Sequence, residues 1–600
     1  MTKRLWLGAA LWALACPSFA QHVQLPLDDL SFFESNPAKN WQIVGDVRAN
    51  YTEKNLLTTL PGKGILACIH PLGTYGSEFE LFSKMQHGDL DISFDFLMAQ
   101  GANSGIYLQG RYEIQLMDSW GKKSPKYNDL GGIYERWNDQ MPDGQKGFEG
   151  SAPRVNVAKA PGIWQHIDIS FQAPRFDASG KKIQSAKILS ITLNGIRIHE
   201  NVVLSGVTRG AIDAKEVALG PLRFQGDHGS LALKNIQFHS FDKQAGAVSN
   251  LSYKTYYGSY PHDEDLSKLT PQKTGKLDAI TWEVTDQTND YAFVIEGNYF
   301  ASTAGEYTFK VLGTGNTTLH IDGKELLDNK WTTSQTTRTA RIQLSQGMHS
   351  LRLFNNKRDG WLRPSLALWS AGPGFRETAH HGVSALIAVT PSDPILVQAI
   401  APTHLRSFMD LPTKKRIVHA ISVGDPSLIH YSYDLDNGSL FQVWRGEFLD
   451  TTPMWNDRGD GSSKPLGALV YLPNELNVAK PGTSRQDTTG TGFRPLGYQL
   501  DAQDRPIFHY QIHGQRITDS ILPKEGKGFE RTMTASGNGL LAQLAKGKRI
   551  EAISPTSFLV DNSYYIEVPR SATPQLSQVG EMQELTVVLS PTPFSYSILF

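Results

Sequence analysis

Apolar residues in this chain alternate with polar ones far more often than they recur every three or four positions. "LDISFDFLMA" (90–99), "HIDISFQA" (166–173), "KILSITLNGIRIHE" (187–200) and "GSLALKNIQFHSF" (229–241) all show the alternation, and Gly, Pro, Asn and Asp separate them. A period of two puts successive side chains on opposite faces of a strand, so the pattern predicts an all-β protein. The Asn194-Gly195 pair inside "LNGIRI" predicts a two-residue hairpin, because both central positions of a type I′ turn need positive φ. Only "GNGLLAQLAKGKR" (537–549) reads as a short helix.

The strand-rich pattern breaks twice. A first module spans 22–243 and ends on "LKNIQFHSFD", followed by the small, polar "KQAGAVSNLS" of a linker. A second module spans 250–375 and a third 392–600, in keeping with a length of 600 residues that calls for several domains. Ahead of them, "MTKR", the short apolar "LWLGAALWALA" and "SFA" before Gln21 have the layout of an export signal covering 1–20. Its removal predicts a periplasmic or secreted protein, and no later stretch approaches the ~20 apolar residues of a transmembrane helix. Cys68 is then the one cysteine left, so no intrachain disulfide is expected, and its setting in "GILACIHPL" is that of a buried apolar residue. A net charge of -1 gives no reason to expect a nucleic-acid partner. The abundant aromatic residues suit carbohydrate stacking instead.

Candidate chemistry gathers in "NSGIYLQGRYEIQLMDSWG" (103–121). If Ile106, Leu108, Ile114 and Leu116 face a core, Tyr107, Gln109, Arg111, Glu113 and Gln115 face away from it. An aromatic ring, amides, a guanidinium and a carboxylate make a good inventory for sugar hydroxyls, which need both donors and acceptors. Asp118 has the wrong parity to join Glu113, unless a β-bulge near Leu116–Met117 returns it to the same face. "RFQGDHGSL" adds Gln225, Asp227 and His228 in a Gly-flanked loop, and Asn103 and Tyr134 complete a rim. The plain alternatives are a solvated strand face and a turn histidine.

In chain order, "DISFDF", "NSGIYLQGRYEIQLMDSWG", "LGGIYERW", "PGIWQHIDISFQAPRF", "ITLNGIRIHENV" and "LGPLRFQGDHGSLALKNIQF" resemble the 3-keto-disaccharide hydrolase family. The resemblance implies a concanavalin-like jelly roll, and a hydrolase or lyase acting on glycosides whose sugar is oxidised at C3. "EIQLMD" also has the spacing of the E-x-D-x-x-E signature of jelly-roll glycosidases, with Gln115 and Asp118 replacing two acids. That replacement disfavours ordinary double displacement, which needs two carboxylates about 5–5.5 Å apart. A C3 ketone acidifies the C2 proton, so a base can remove it, the C1 substituent can leave, and water can add to the enone. On this reading Glu113 or Asp118 is the base, and Arg111 and His228 stabilise the enolate or move protons. Gln115, Tyr107, Gln109, Gln225, Asn103 and Tyr134 bind substrate. A divalent metal in the groove is a second way to polarise the ketone, although no ligand spacing demands one.

In the second module, "GEYTFKVLGTGNTTLHIDGKELLDN", "LSQGMHSLRLFNN" and "LALWSAGPG" resemble the PA14 domain, implying a carbohydrate-binding or adhesive β-barrel. "GTGNTT" (313–318) stands where calcium-binding members carry adjacent aspartates, which argues against calcium-dependent lectin action. Trp331, Trp361 and Asp322 remain as possible sugar contacts, with Asp322 most simply a turn residue. The third module reads as a β-sandwich. The lack of C-x-x-C-H excludes covalent c-type haem. Asp457 and Asp460 have the look of a calcium loop, and His419, His430, Trp444 and Arg445 that of either a second sugar site or an aromatic core with a paired Arg. The whole then predicts an exported enzyme cleaving 3-keto-glycosides, its rival being a non-catalytic, multi-domain glycan-binding protein.

Overall fold

The computed structural model describes residues 23–34, 39–386, 393–456, 459, 461–524 and 526–600. The export segment and the acids Asp457 and Asp460 lie outside the described residues. The chain is nearly all β and divides into two units, His239–Pro391 in one and Gln24–Phe238 with Ser392–Phe600 in the other. No described helix is long and apolar enough to cross a membrane.

The first module is a jelly-roll sandwich of two facing sheets. The larger has the order Ile196–Leu204, Ala186–Leu193, Gln165–Gln172, Asp89–Met98, Leu231–Phe241, Thr58–Cys68, Trp41–Arg48. The smaller has the order Leu81–His87, Gly220–Phe224, Asn103–Leu108, Tyr112–Met117. The alternating sequences are these strands. Phe94, Phe96, Ile167, Ile169 and Phe171 of the large sheet pack in one core with Ile106, Leu108, Tyr112, Ile114, Leu116 and Phe224 of the small one. Burying such side chains stabilises by roughly 1.5–3 kcal/mol each. The Asn194-Gly195 turn has φ of 51° and 82° and joins Leu193 to Ile196 in register, as the type I′ reading requires. Cys68 is a free, buried thiol, and burial raises its pKa far above the ordinary range.

The third module shares a unit with the first. Ala160 and Ile163 of the jelly roll form one apolar cluster with Leu559, Tyr565 and Leu599, flanked by Tyr51 and Trp120. The Tyr565 hydroxyl donates to Pro161 O (2.8 Å), and the Trp120 indole N–H donates to Phe600 O (2.7 Å). The module's interior is a second large core crossed by a buried bidentate pair, Arg531 on Asp519 (2.6 and 2.9 Å), with the Tyr433 hydroxyl donating to the same carboxylate. The expected helix is a strand, Leu540–Gly547, paired with Val478–Ala479 and Met582–Leu589. Its central position buries Leu540, Ala542, Leu544 and Ala545, and such burial imitates a helical pattern in sequence. Trp444 and His430 are core residues, their ring nitrogens spent on backbone groups. Arg445 is not paired as expected: its Nε and Nη2 are buried without hydrogen-bond partners, and burial pulls its pKa down to about 9. His419 lies apart, exposed beside Asp436.

The second module, taken by itself, is also a two-sheet β structure. Six strands run in the order Lys273–Leu277, Ala247–Tyr257, Tyr291–Ala301, Gly347–Lys357, Gly315–Ile321, Lys324–Thr332, facing four in the order Thr337–Leu344, Gly305–Gly313, Leu366–Gly372, Phe375–Ala379. Asp322 occupies a tight turn at φ 51°, its carboxylate accepting from Ser350 N. Trp331 and Trp361 are exposed, with ring centroids 6.2 Å apart.

Candidate functional site

Cross-strand register assembles the site on the face of the small sheet turned away from the core. Arg223 pairs with Tyr107 and Tyr107 with Glu113, which sets a guanidinium, a phenol and a carboxylate in one row across three strands. The next row holds Gln115 opposite Gly105, with Gln225 N donating to Gly105 O (2.9 Å). Asn103 begins the following row, opposite Met117. Gly105 is a steric requirement: a Cβ there would lie 2.5 Å from Glu113 Oε1, so only glycine lets the carboxylate lie flat on the neighbouring strand.

This face is not a solvated one. Residues 131–134 lie along the edge strand, Gln115 N donating to Gly132 O and Tyr134 N to Glu113 O. Glu113 is 2% exposed and Gln115 3%. Burial pushes the Glu113 carboxyl up to about 8, against the opposing pull of a hydrogen bond from Tyr107 and the charge of Arg223. Glu80, at the end of the row, is also raised to about 8, first by burial and then by Asp227, with Arg223 opposing. Arg223 ties Glu80 to the row: its guanidinium lies 3.5 Å over the Tyr107 ring, its Nε is 3.1 Å from Glu80, and Nη1 donates to Gly210 O (2.7 Å).

The adjoining loop presents His228, its Nδ1 in a short hydrogen bond with Asp227. Burial works to raise the Asp227 pKa, but the bonds from His228 and from Gly76 N hold it below the ordinary carboxylate range. Tyr75 lies over the His228 ring at 4.6 Å, and its exposed edge forms part of the rim. The loop is anchored from below, where Gly226 O accepts from Asn40 Nδ2 and Cys68 Sγ. Opposite, Tyr134 is half-buried beside Tyr127, and Arg209 stacks 3.8 Å over Trp137 while facing Glu135.

Around Glu113 the amide oxygens of Asn103, Gln115 and Gln225 are buried without hydrogen-bond partners. Buried polar atoms are nearly always satisfied, and one left unpaired costs about 1–3 kcal/mol. Three such acceptors on the same sheet face as Glu113 suit a ligand rich in O–H donors.

Of the residues expected from sequence, Glu113, Gln115, Tyr107, Gln225, Asn103, Tyr134 and His228 come together here. Three do not. Asp118 is a correction: strand pairing stays regular through Met117, no bulge forms, and the carboxylate turns away to accept from Gly101 N (2.8 Å) and Trp120 N (3.2 Å). Arg111 is spent in the hairpin, donating to Lys215 O (2.6 Å) and Gln109 O (2.8 Å). Gln109 sits in the same turn at φ 53°, fully buried, its amide donating to His87 O and Ala218 O. The alternation stops at Leu108, so parity cannot be carried across the turn to Gln109 and Arg111. Arg223 and Glu80 were missed. Arg223 has the parity of Gln225 in "PLRFQGD", a signal available in the sequence, whereas Glu80 precedes its strand and only the fold brings it in.

Among the described residues no three His, Cys, Asp or Glu side chains converge as a metal-holding group.

Comparison with known proteins follows the same lines. No curated protein matches the chain. Among solved structures, a "putative glycosyl hydrolase" from Parabacteroides distasonis is 19% identical, covers 39% of this chain and 94% of its own, and gives a TM-score of 0.25. The Epithelial Adhesin 9 A domain from Candida glabrata, in complex with Galb1-4GlcNAc, is 14% identical over 23% of this chain and 89% of its own, with a TM-score of 0.19. Likenesses this low carry no functional argument. The family matches are specific: residues 253–374 match the PA14 domain, and residues 31–239, which hold the whole constellation above, match the 3-keto-alpha-glucoside-1,2-lyase-like domain, making this a carbohydrate-active protein.

Proposed function

We propose that the jelly-roll module cleaves 3-keto-glycosides by elimination followed by hydration. The observation that carries this reading is Glu113, a buried carboxyl raised to about 8 that shares its sheet face with the unpaired amide oxygens of Asn103, Gln115 and Gln225. A base taking a proton from carbon beside a ketone works best when its pKa lies near the working pH, and burial supplies that shift here.

In the proposed reaction the amide oxygens accept from sugar hydroxyls and set C2 over Glu113. The Glu113 carboxylate takes the C2 proton, and the C2–H electron pair moves into an enolate on the C3 oxygen. Arg223 and Tyr107 stand beside Glu113 and replace Arg111 as the source of positive potential for that developing charge. The enolate collapses, the C1–O bond breaks, and His228, oriented by Asp227, gives the departing oxygen a proton. Water then adds to C1 of the enone and gives its proton to His228, Glu113 returns the proton to C2, and the products are the free 3-keto-sugar and the aglycone alcohol.

The test is an incubation of the purified chain with 3-keto-glucosides, 3-keto-trehalose and their unoxidised parents. Aglycone release from the keto-substrates alone, lost in Glu113→Gln, is the expected outcome. Cleavage of the parents would instead point to hydrolysis by the Glu113 and Glu80 carboxyls. No release from any sugar would leave a glycan-binding module.

A further inference from the structure

The carboxylate that leaves the groove helps to line another cavity. Between the jelly roll and the third module is a space of about 310 Å³, lined by Tyr51, Gln100, Asp118 and Trp120 from the first and by Lys524, Lys527, Glu567 and Leu599 from the other. That volume lies at the lower end of small-ligand pockets. Nothing in the two family matches reaches the third module, since they end at 239 and 374.

We propose that this cavity is a saccharide-binding site built jointly by the two modules, taking an uncharged pyranose unit. Two carboxylates, Asp118 and Glu567, face two ammonium groups, Lys524 and Lys527, so an ion of either sign would meet as much repulsion as attraction. A neutral polyol uses both kinds of group, as O–H donor to the carboxylates and as acceptor from the lysines and Gln100. Paired aromatic walls stand beside these charges. Trp120 and Tyr51 meet edge to face with centroids 5.8 Å apart, and Tyr51 packs on Tyr565 at 4.7 Å. Such rings offer apolar faces to the C–H side of a sugar.

Trp120 is tied to Phe600 O, the Tyr51 hydroxyl donates to Glu567 (3.3 Å), and Lys524 Nζ is shared between Glu567 (3.1 Å) and Ser597 (2.8 Å). These walls are held by the apolar seam between the modules, so binding requires little ordering. Lys527, 5.4 Å over the Trp120 ring, is the less committed arm. Asp118 lies five residues along the strand from Glu113, about 16 Å at the usual rise, and on the opposite parity. The cavity is therefore a site separate from the groove, and it stands whether or not the groove is catalytic.

The experiment labels the full chain with 5-fluorotryptophan and identifies the Trp120 resonance by its loss in Trp120→Phe. Glucose, methyl α-glucoside, trehalose, maltose and cellobiose are then titrated to tens of millimolar. The expected result is a saturable shift of the Trp120 resonance with at least one of them. It should be unchanged in Glu113→Gln and weakened at least fivefold in Lys527→Ala, a variant whose folding is checked by the remaining tryptophan resonances. A Trp120 resonance unmoved by all five sugars overturns the proposal, as does one that moves equally in Lys527→Ala. Loss of the shift in Glu113→Gln would also overturn it, by placing the sugar in the groove. Cleavage of keto-substrates is read separately, so failure of one reading leaves the other intact.

Discussion

At the residue scale, the chemistry rests on how far one carboxyl is removed from water. Glu113→Gln keeps shape and hydrogen bonding but removes the base, and keto-glycoside cleavage is expected to fall by 10²–10⁴-fold in steady-state kinetics. In the wild type, kcat/KM should climb with pH, pass its midpoint near 8, the value to which burial raises Glu113, and level off above it. Stability runs the other way. Glu113 and Glu80 have folded pKa values of about 8 against an ordinary 4.5, so the protonated forms favour the fold. That contribution is whole below about pH 4.5 and is lost as pH rises through about 8. Glu113→Gln should therefore raise Tm relative to the wild type at pH 8 and leave it nearly unchanged at pH 4.5. Gly105→Ala is the steric counterpart. Its methyl occupies the space of Glu113 Oε1, so activity should drop at least tenfold while circular dichroism keeps its β signature.

At the element scale, the hairpin between Asn103–Leu108 and Tyr112–Met117 shows how a turn reallocates residues. Alternation read from "NSGIYLQGRYEIQLM" places Tyr107, Glu113 and Gln115 on one face, and strand register confirms it. The same count assigned Gln109 and Arg111 to that face, but they belong to a turn whose carbonyls and loop contacts claim them. Arg111→Met should thus cost about 1.5–3 kcal/mol, the worth of hydrogen bonds from a charged donor, in denaturant unfolding. Cleavage of 3-keto-glucosides should stay within a few-fold of wild type. Leu540–Gly547 teaches the related lesson that a strand buried on both faces has no alternation to read.

At the scale of the whole molecule, the first and third modules behave as one body, although the 153 residues His239–Pro391 lie between them in the sequence. Tyr565 sits at their seam, fully buried, with its hydroxyl on Pro161 O. Tyr565→Ala should lower stability by about 3–5 kcal/mol and split the calorimetric unfolding of that body into two transitions.

Sequence alone determined the all-β architecture, the position of the Asn194-Gly195 hairpin, the small-sheet face that carries Glu113, and the candidate amides around it. These follow from local steric rules and a period of two, which a single strand already expresses. Tertiary structure decided the rest: that Asp118 turns from the groove to a cavity between modules, that Arg223 stands in the row where Arg111 was expected, that Glu80 joins it, and that both acids are buried. Those outcomes depend on which strands become neighbours and what covers them. Proximity across the sheet, and the loss of water that shifts a pKa, are properties of contacts between residues far apart in the chain.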